Sequence, residues 1–402
     1  MRQRRVLFLV ENLPSPFDRR VWQEAGALRD AGYRVTIACP TGRGYEAKFE
    51  TIDGINIRRY DLPAEGEGAL GYLAEYSFAL AHSFFISLIT RFDAIHACNP
   101  PDLFFLIGGF WKLFGKKFLF DHHDANPELY EAKFGRRGFF WKLMLLLEKL
   151  TFKTADVSLA TNESYKRIAV TRGGMPPEKV FVVRSGPSLE RMKVLPPVLS
   201  LKKQKKYLVG YVGVMGRQEG IDYLLRAAAH IVHDLGRRDV HFGLVGGGTS
   251  LDEMKRLAAE LGLGEYVTFT GRVPDAEMLA MLNTADVCVN PDVANEMNNI
   301  STMNKVMEYM ALGKPMVQFD LAEGRFSAQQ ASLYARQNNA FDFADKILEL
   351  LDNEEKRKAM GAFGRRRVME ELEWRHEVPK LLAAYEALWA RPATGRVKAD
   401  AL

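Results

Sequence analysis

Four residues near position 300 have the types and spacing to do chemistry: Ser301, Asn304, Lys305 and Glu308, in the run from Asn299 to Pro315. The pattern predicts a helix over Thr302–Leu312. At roughly 100° per residue these four share one face, and Met303, Val306 and Met310 share the opposite one. Hydroxyl, amide and ammonium groups at a helix start suit a phosphate, and a carboxylate one turn later suits sugar hydroxyls. The bland alternative is a solvated Lys305–Glu308 pair, but a surface helix would carry more charge than this one.

A second candidate is the loop Gly213-Val214-Met215-Gly216-Arg217-Gln218-Glu219-Gly220, between a β-rich run and a helical one. Glycines let a backbone approach phosphate, and a helix start favours negative charge. Read alone, this loop is equally a tight strand-to-helix turn. No G-x-x-x-x-G-K-[ST] stretch occurs, which argues against a P-loop NTPase. A third candidate is Pro14-Ser15-Pro16-Phe17-Asp18-Arg19-Arg20, after the first apolar run. Asp18, Arg19 and Arg20 are the candidates here, with an anionic group as the natural partner. The alternative for either arginine is a pair with Glu24.

The elements that position these loops alternate. Strands are expected at Val6–Val10, Arg34–Ala38, Ala94–Ala97, Phe118–Phe120, Val157–Ala160 and Val180–Val183, separated by helical stretches such as Val21–Ala31. The rhythm breaks from Pro187 to Lys206, at Pro196-Pro197 and a lysine cluster. It resumes with strands Leu208–Val212, Val240–Val245, Val267–Phe269, Val287–Val289 and Pro315–Gln318. Such alternation predicts two α/β domains with doubly wound parallel sheets, whose ligands sit beyond the carboxyl ends of the strands. The expected organisation is a first domain over 1–190, a linker over 191–206, a second domain over 207–376, a helix over 377–390 crossing back to the first domain, and a disordered tail over 391–402.

Composition bounds the rest. In 402 residues, 47% are hydrophobic and 26% charged, which excludes a largely disordered chain, and a net charge of +5 does not by itself indicate nucleic acid. Cys39, Cys98 and Cys288 are scattered, which points away from a disulfide scaffold and from structural zinc. The longest charge-free apolar stretch, Tyr76–Thr90, is shorter than a membrane span needs, and Val6–Val10 is too short for a signal core. The expected location is the cytoplasm, with peripheral contact at the inner face of the membrane as an option. Trp111–Phe118 and Gly138–Lys149 are aromatic, apolar and basic; either a lipid interface or a buried helix layer explains them.

Glu308-Tyr309-Met310-Ala311-Leu312-Gly313-Lys314-Pro315 resembles the second half of the E-x7-E signature of glycosyltransferase family four (group 1), the retaining nucleotide-sugar transferases of GT-B fold. The likeness runs over almost the whole chain. Asp30–Thr36, Phe120-Asp121-His122-His123-Asp124-Ala125-Asn126-Pro127-Glu128, Val245–Gly248, Phe269-Thr270-Gly271-Arg272-Val273-Pro274 and Ala285–Pro291 each look like family segments. The resemblance implies His123 as a cleft histidine that hydrogen-bonds the donor sugar or leaving phosphate, with His122 structural. It places Gly213, Gly216, Arg217, Arg272, Val273, Ser301, Thr302, Asn304, Lys305 and Glu308 on the donor side, and gives catalytic roles to His123, Lys305 and Glu308. It also implies retention with no covalent protein intermediate; no cofactor beyond the substrate nucleotide sugar is expected, and a uridine is favoured over a guanosine nucleotide. The expected acceptor, with Asp18, Arg19 and Arg20 on its side, is a glycan or lipid-linked hydroxyl in cell-surface polysaccharide synthesis, the expected transferred group is hexosyl or N-acetylhexosaminyl, and nucleic acid is not an expected partner.

The departures from the family are specific. The first glutamate of E-x7-E falls at Ile300, and the two usual diphosphate cations are replaced by Val214 and Glu219. Lys305, with Arg217, is therefore expected to take over the leaving-group charge. No Asp-x-Asp triplet occurs, so no metal is expected at the diphosphate. A sugar-nucleotide epimerase of the same fold, a dinucleotide oxidoreductase and a non-catalytic nucleotide-sugar binder are the competing readings. The oxidoreductase lacks an acidic residue at the end of the Val240–Val245 strand, and the retained Lys305 and Glu308 weigh against a mere binder.

Overall fold

The computed structural model describes residues 3–62 and 68–390. The expected tail 391–402 lies outside the described residues.

The first sheet has eight strands: β1 (Arg5–Leu9), β2 (Arg34–Pro40), β3 (Phe49–Ile52), β4 (Ile55–Tyr60), β5 (Ala94–Cys98), β6 (Lys117–His122), β7 (Val157–Ala160) and β8 (Val180–Val182). Their order is β3-β4-β2-β1-β5-β6-β7-β8. All neighbours are parallel except β3 and β4. The second sheet holds β9 (Tyr207–Val212), β10 (Val240–Val245), β11 (Val267–Gly271), β12 (Val287–Asn290), β13 (Met316–Phe319) and β14 (Ser332–Ala335), in the order β11-β10-β9-β12-β13-β14. In each sheet the order reverses at the first strand, β1 or β9, and loops that leave a parallel sheet at such a point frame a crevice.

Burial on both faces explains the continuous apolar strands. In β1 and the residue after it, Val6, Phe8 and Val10 enter one core and Leu7 and Leu9 the other. One N-terminal core holds α1 (Arg19–Asp30) and the terminal helix Trp374–Trp389, which contributes Leu381, Ala384, Tyr385 and Leu388. This last described helix therefore packs on the first domain. His96 stacks on Phe8, with ring centroids 4.1 Å apart, and its Nδ1 lies 2.9 Å from the Tyr385 hydroxyl. The other core holds α2 (Gly68–Ile89), α3 (Phe105–Lys112) and, after α4 (Asn126–Phe134), α5 (Phe139–Thr154).

Three elements differ from expectation. β3 and β4 form a hairpin around Asp53-Gly54, both in the left-handed region (φ 49° and 78°). β14 closes the second sheet. The signature helix spans Asn304–Ala311, starting two residues later than expected, so Ser301 and Thr302 lie in the loop before it. Among the described residues no helix is long and apolar enough to cross a membrane.

Candidate active site

On the second domain, the loop after β9 is pressed against the loop after β10. Met215 N donates to Gly247 O at 3.0 Å, and Ser250 N donates to Met215 O at 2.8 Å. Gly246 has φ 131°, and a Cβ there would sit 1.8 Å from Gly213 O. Only glycine permits this approach, and it presents backbone rather than side chains at the strand ends. Gly213 and Gly216 thus frame a bare turn. Arg217 follows it, exposed, with no ion pair among the described residues.

Lys305 lies beneath this turn, and its ammonium is already paired within the protein. Its Nζ is bonded to Glu219 and, at 2.8 Å, to Asp292 Oδ1, and stands 5.0 Å from the Tyr211 ring centre. Burial works against the charge, but Asp292 and Glu219 outweigh it and hold the ammonium protonated well above the usual lysine range. Burial, with the Glu219 charge beside it, pushes Asp292 up to about 7. Glu219, where the family pattern leads one to expect a lysine, is therefore matched by a lysine from the signature helix. Lys305 braces the glycine turn and does not project from it.

Glu308, one turn further, is the centre of a charge cluster where the domains meet. Arg191 Nη1 donates to its Oε1 at 2.8 Å, and Arg19 Nη1 reaches the same oxygen from α1 at 3.1 Å. Both guanidiniums also bond Asp275 Oδ1. The Oε2 atom has no hydrogen-bond partner among the described residues, which leaves it for a ligand hydroxyl.

Across the junction, β6 ends in Asp121-His122 and delivers His123. The His123 Nδ1 lies 2.9 Å from Asp121 Oδ2, and Asn99 Oδ1 accepts from the backbone N–H groups of His123 and Asp124. The side chain is 12% exposed. Burial opposes protonation, but the Asp121 carboxylate prevails and raises the imidazole to about 9. His123 is therefore an imidazolium at neutral pH. Because its pKa is raised on folding, the pair stabilises the fold fully below about 6.5 and loses that contribution as pH rises through about 9. His122 is different: buried among Phe152, Tyr165 and Glu148, it is pushed down to about 3 and stays neutral.

Two acceptor-side expectations are corrected. The Arg20 guanidinium is buried and grips both oxygens of Asp121, at 2.6 and 2.8 Å, with Glu24 at 3.0 Å and Val183 O at 2.9 Å. It neutralises two interior carboxylates and does not reach solvent. Asp18 caps α1, accepting from Val21 N at 3.2 Å. Only Arg19 of the three remains open, with a side chain 55% exposed.

The remaining donor-side candidates gather at the same junction. Arg272 lies over the Phe17 ring of the first domain at 5.2 Å, and Val273 packs on a core of the second domain. The Ser301 hydroxyl donates to Met297 O and lies 3.3 Å from the Tyr165 hydroxyl, and Thr302 Oγ1 accepts from Asn162 at 2.9 Å. Asn304 is exposed at the helix start. Sequence reasoning missed Arg191, Asp275, Asp292 and Asn99. Asp121 lay inside a quoted motif, but the others carry no local signal. The one cluster of metal-type side chains among the described residues is His96, Cys98 and Asp121. Arg20 and His123 already occupy both Asp121 oxygens, so a cation has no carboxylate there.

Residues 18–191 match the family model described as Glycosyltransferase Family 4, and residues 206–353 match Glycosyl transferases group 1. Among curated relatives, the D-inositol 3-phosphate glycosyltransferase of Corynebacterium urealyticum is 26% identical over 263 residues, 62% of this chain and 58% of the relative. The 2-deoxystreptamine glucosyltransferase of Streptomyces kanamyceticus is 26% identical over 240 residues, 59% of each. The chain thus spans about three fifths of the length of these two relatives. Sucrose-phosphate synthase from Thermosynechococcus elongatus superposes with a TM-score of 0.77 at 21% identity, over 96% of this chain and 99% of that one. Anabaena HepE in complex with UDP and glucose superposes at 0.73 and 15%, over 96% and 100%. At these identities the likeness concerns the fold.

Proposed function

The chain belongs to the family-four (group 1) glycosyltransferases of GT-B fold, and from that premise we propose that it moves a hexosyl or N-acetylhexosaminyl unit from a uridine diphosphate sugar to a hydroxyl acceptor. The observation that carries this reading is the meeting of the domains at Glu308, on the domain that also carries the bare glycine turn: its Oε1 accepts from Arg19 of the first domain and from Arg191.

The Gly213–Gly216 backbone, Arg217, Arg272 and the loop of Ser301 and Thr302 receive the diphosphate, with Asn304 at the helix start and Val273 lining the approach. Glu308 takes sugar hydroxyls through Oε2. His123 donates a hydrogen bond to the leaving phosphate or the donor sugar. The acceptor oxygen bonds the anomeric carbon on the leaving-group face as the bond to phosphate breaks. Its proton passes to the departing phosphate oxygen, and configuration is retained. Charge on the leaving group is met by protein donors rather than a metal. Arg19 holds an anionic group of the acceptor, a glycan or lipid-linked molecule of cell-surface polysaccharide synthesis, and the enzyme works in the cytoplasm at the inner face of the membrane.

Binding of UDP should raise the unfolding temperature at concentrations where GDP does not, with about 2.7 kcal/mol expected at a hundred times the Kd. Glu308→Gln should reduce that stabilisation. Stabilisation by neither nucleotide would remove the donor reading. UDP release from a UDP-hexose should depend on acceptor and persist in chelator. Interconversion of the donor without acceptor would identify an epimerase. Activity abolished by chelator and restored by magnesium or manganese would overturn the metal-free account.

A further inference from the structure

Twelve of the 22 exposed large apolar side chains among the described residues fall between Phe78 and Leu146. Chance scatter would spread them over the chain. Eleven of them sit on or directly after three helices of one layer of the first domain, and the twelfth, Phe134, ends α4. Phe78, Phe85, Leu88 and Ile89 form a stripe along α2. Leu106 and Phe110 on α3 continue into Leu113, 82% exposed, and Phe114. Phe139, Phe140 and Leu146 extend the surface along α5. The helices are neighbours: Trp111 Nε1 donates to Ser87 Oγ at 2.8 Å, and Lys112 Nζ donates to Thr154 O at 2.7 Å. The two sequence segments that fitted either a lipid interface or a buried layer thus supply five of these outward-facing side chains, and α2 supplies four more.

Two hollows lie at the ends of these helices. One, of about 450 Å³, is lined by Lys149, Lys153 and Lys179 over Phe152 and Met175. The other, of about 340 Å³, is lined by Arg5, Arg91 and Lys116 over Phe92 and Trp111. Neither lining includes a carboxylate. A protein partner for an apolar face commonly brings its own polar rim of mixed sign. A face of aromatic and aliphatic tips with basic hollows at its edge instead matches acyl chains beneath anionic headgroups.

We propose that the α2–α3–α5 layer is a docking face for a bilayer containing anionic phospholipid, with headgroup phosphates in the two basic hollows. α5 has 16 residues, about 24 Å of helix. Its start, at Phe139 and Phe140, lies beside Arg137, which pairs with Glu296 of the second domain. The face therefore reaches the junction where the acceptor must enter. This deepens the membrane-side part of the functional reading and rests on it only for direction, since lipid binding is measured without donor or acceptor.

The test is flotation of the whole chain with vesicles of phosphatidylcholine, with and without phosphatidylglycerol. Wild type should float with the anionic vesicles only, and high salt should weaken the association. Phe85→Ser/Leu113→Ser/Phe114→Ser should lower it at least tenfold. Arg91→Gln/Lys149→Gln/Lys153→Gln should abolish the preference for phosphatidylglycerol. All six side chains are on the surface, so unchanged circular dichroism and UDP stabilisation should accompany both variants. Absence of wild-type flotation at low salt, or variants that float like wild type, would overturn the proposal. So would a dimer lost in the apolar variant without any vesicle binding, which would assign the face to a second copy of the chain.

Discussion

Lys305→Met should lower the stability of the second domain by about 3–5 kcal/mol, the usual cost of stranding a buried ionic partner. The substitution removes the ammonium between Glu219 and Asp292 and leaves two carboxylates, one 1% exposed, facing each other. Asp292 already titrates near 7 with Lys305 present, and without it would take up a proton or unfold the loop. Glu219→Gln added to Lys305→Met should recover part of the loss, because it removes one of the repelling charges. Denaturant unfolding measures both variants. The sequence reading, with Val214 and Glu219 in place of the usual cations, instead has Lys305 act on the leaving diphosphate, where losing one such stabiliser costs about 3–4 kcal/mol in the transition state. The two accounts separate cleanly. A variant of wild-type stability that turns over a hundredfold more slowly would return Lys305 to the diphosphate. A destabilised variant that still binds UDP when folded would confirm the brace.

That contrast marks where the sequence was legible. Parallel strands buried on both faces read as unbroken apolar runs, so β1, β7 and β10 and the two-domain alternation could be placed. The β3–β4 hairpin was missed although Asp53-Gly54, set between alternating apolar residues, carries the turn signal. β14 has four residues and begins with serine, too little pattern to read. Glu24 lies four residues from Arg20, and that pairing was foreseen as an alternative. Asp121, the stronger partner, is 101 residues away, and nothing local marks it. The same distance problem hides Glu219 from Lys305 and Arg191 from Glu308, 86 and 117 residues apart. Motif reading thus found the positions that meet at the site. Which charges remain available there depends on long-range pairing, visible only once the chain is folded.

His123→Ala should reduce turnover by about a hundredfold to a thousandfold while the chain still folds. It loses the contribution of the Asp121–His123 pair, but Asp121 keeps its bidentate bond to Arg20 when the imidazole goes, so no carboxylate is stranded. Turnover is not spared, because Asp121 holds His123 as a cation, and a cationic donor stabilises charge on a departing phosphate more strongly than a neutral one. The pH dependence gives the sign. The imidazole is raised from about 6.5 to about 9, so the competent form is present throughout the neutral range and disappears as pH rises through about 9. Wild-type kcat should therefore fall on the alkaline side near 9, and His123→Ala should show a low rate with that limb absent. His123→Gln, which keeps a neutral donor, should recover part of the rate but not the limb. A wild-type profile flat through 9, or an alkaline limb that survives in His123→Ala, would place the titrating donor elsewhere and leave His123 as a strut for the β6 loop.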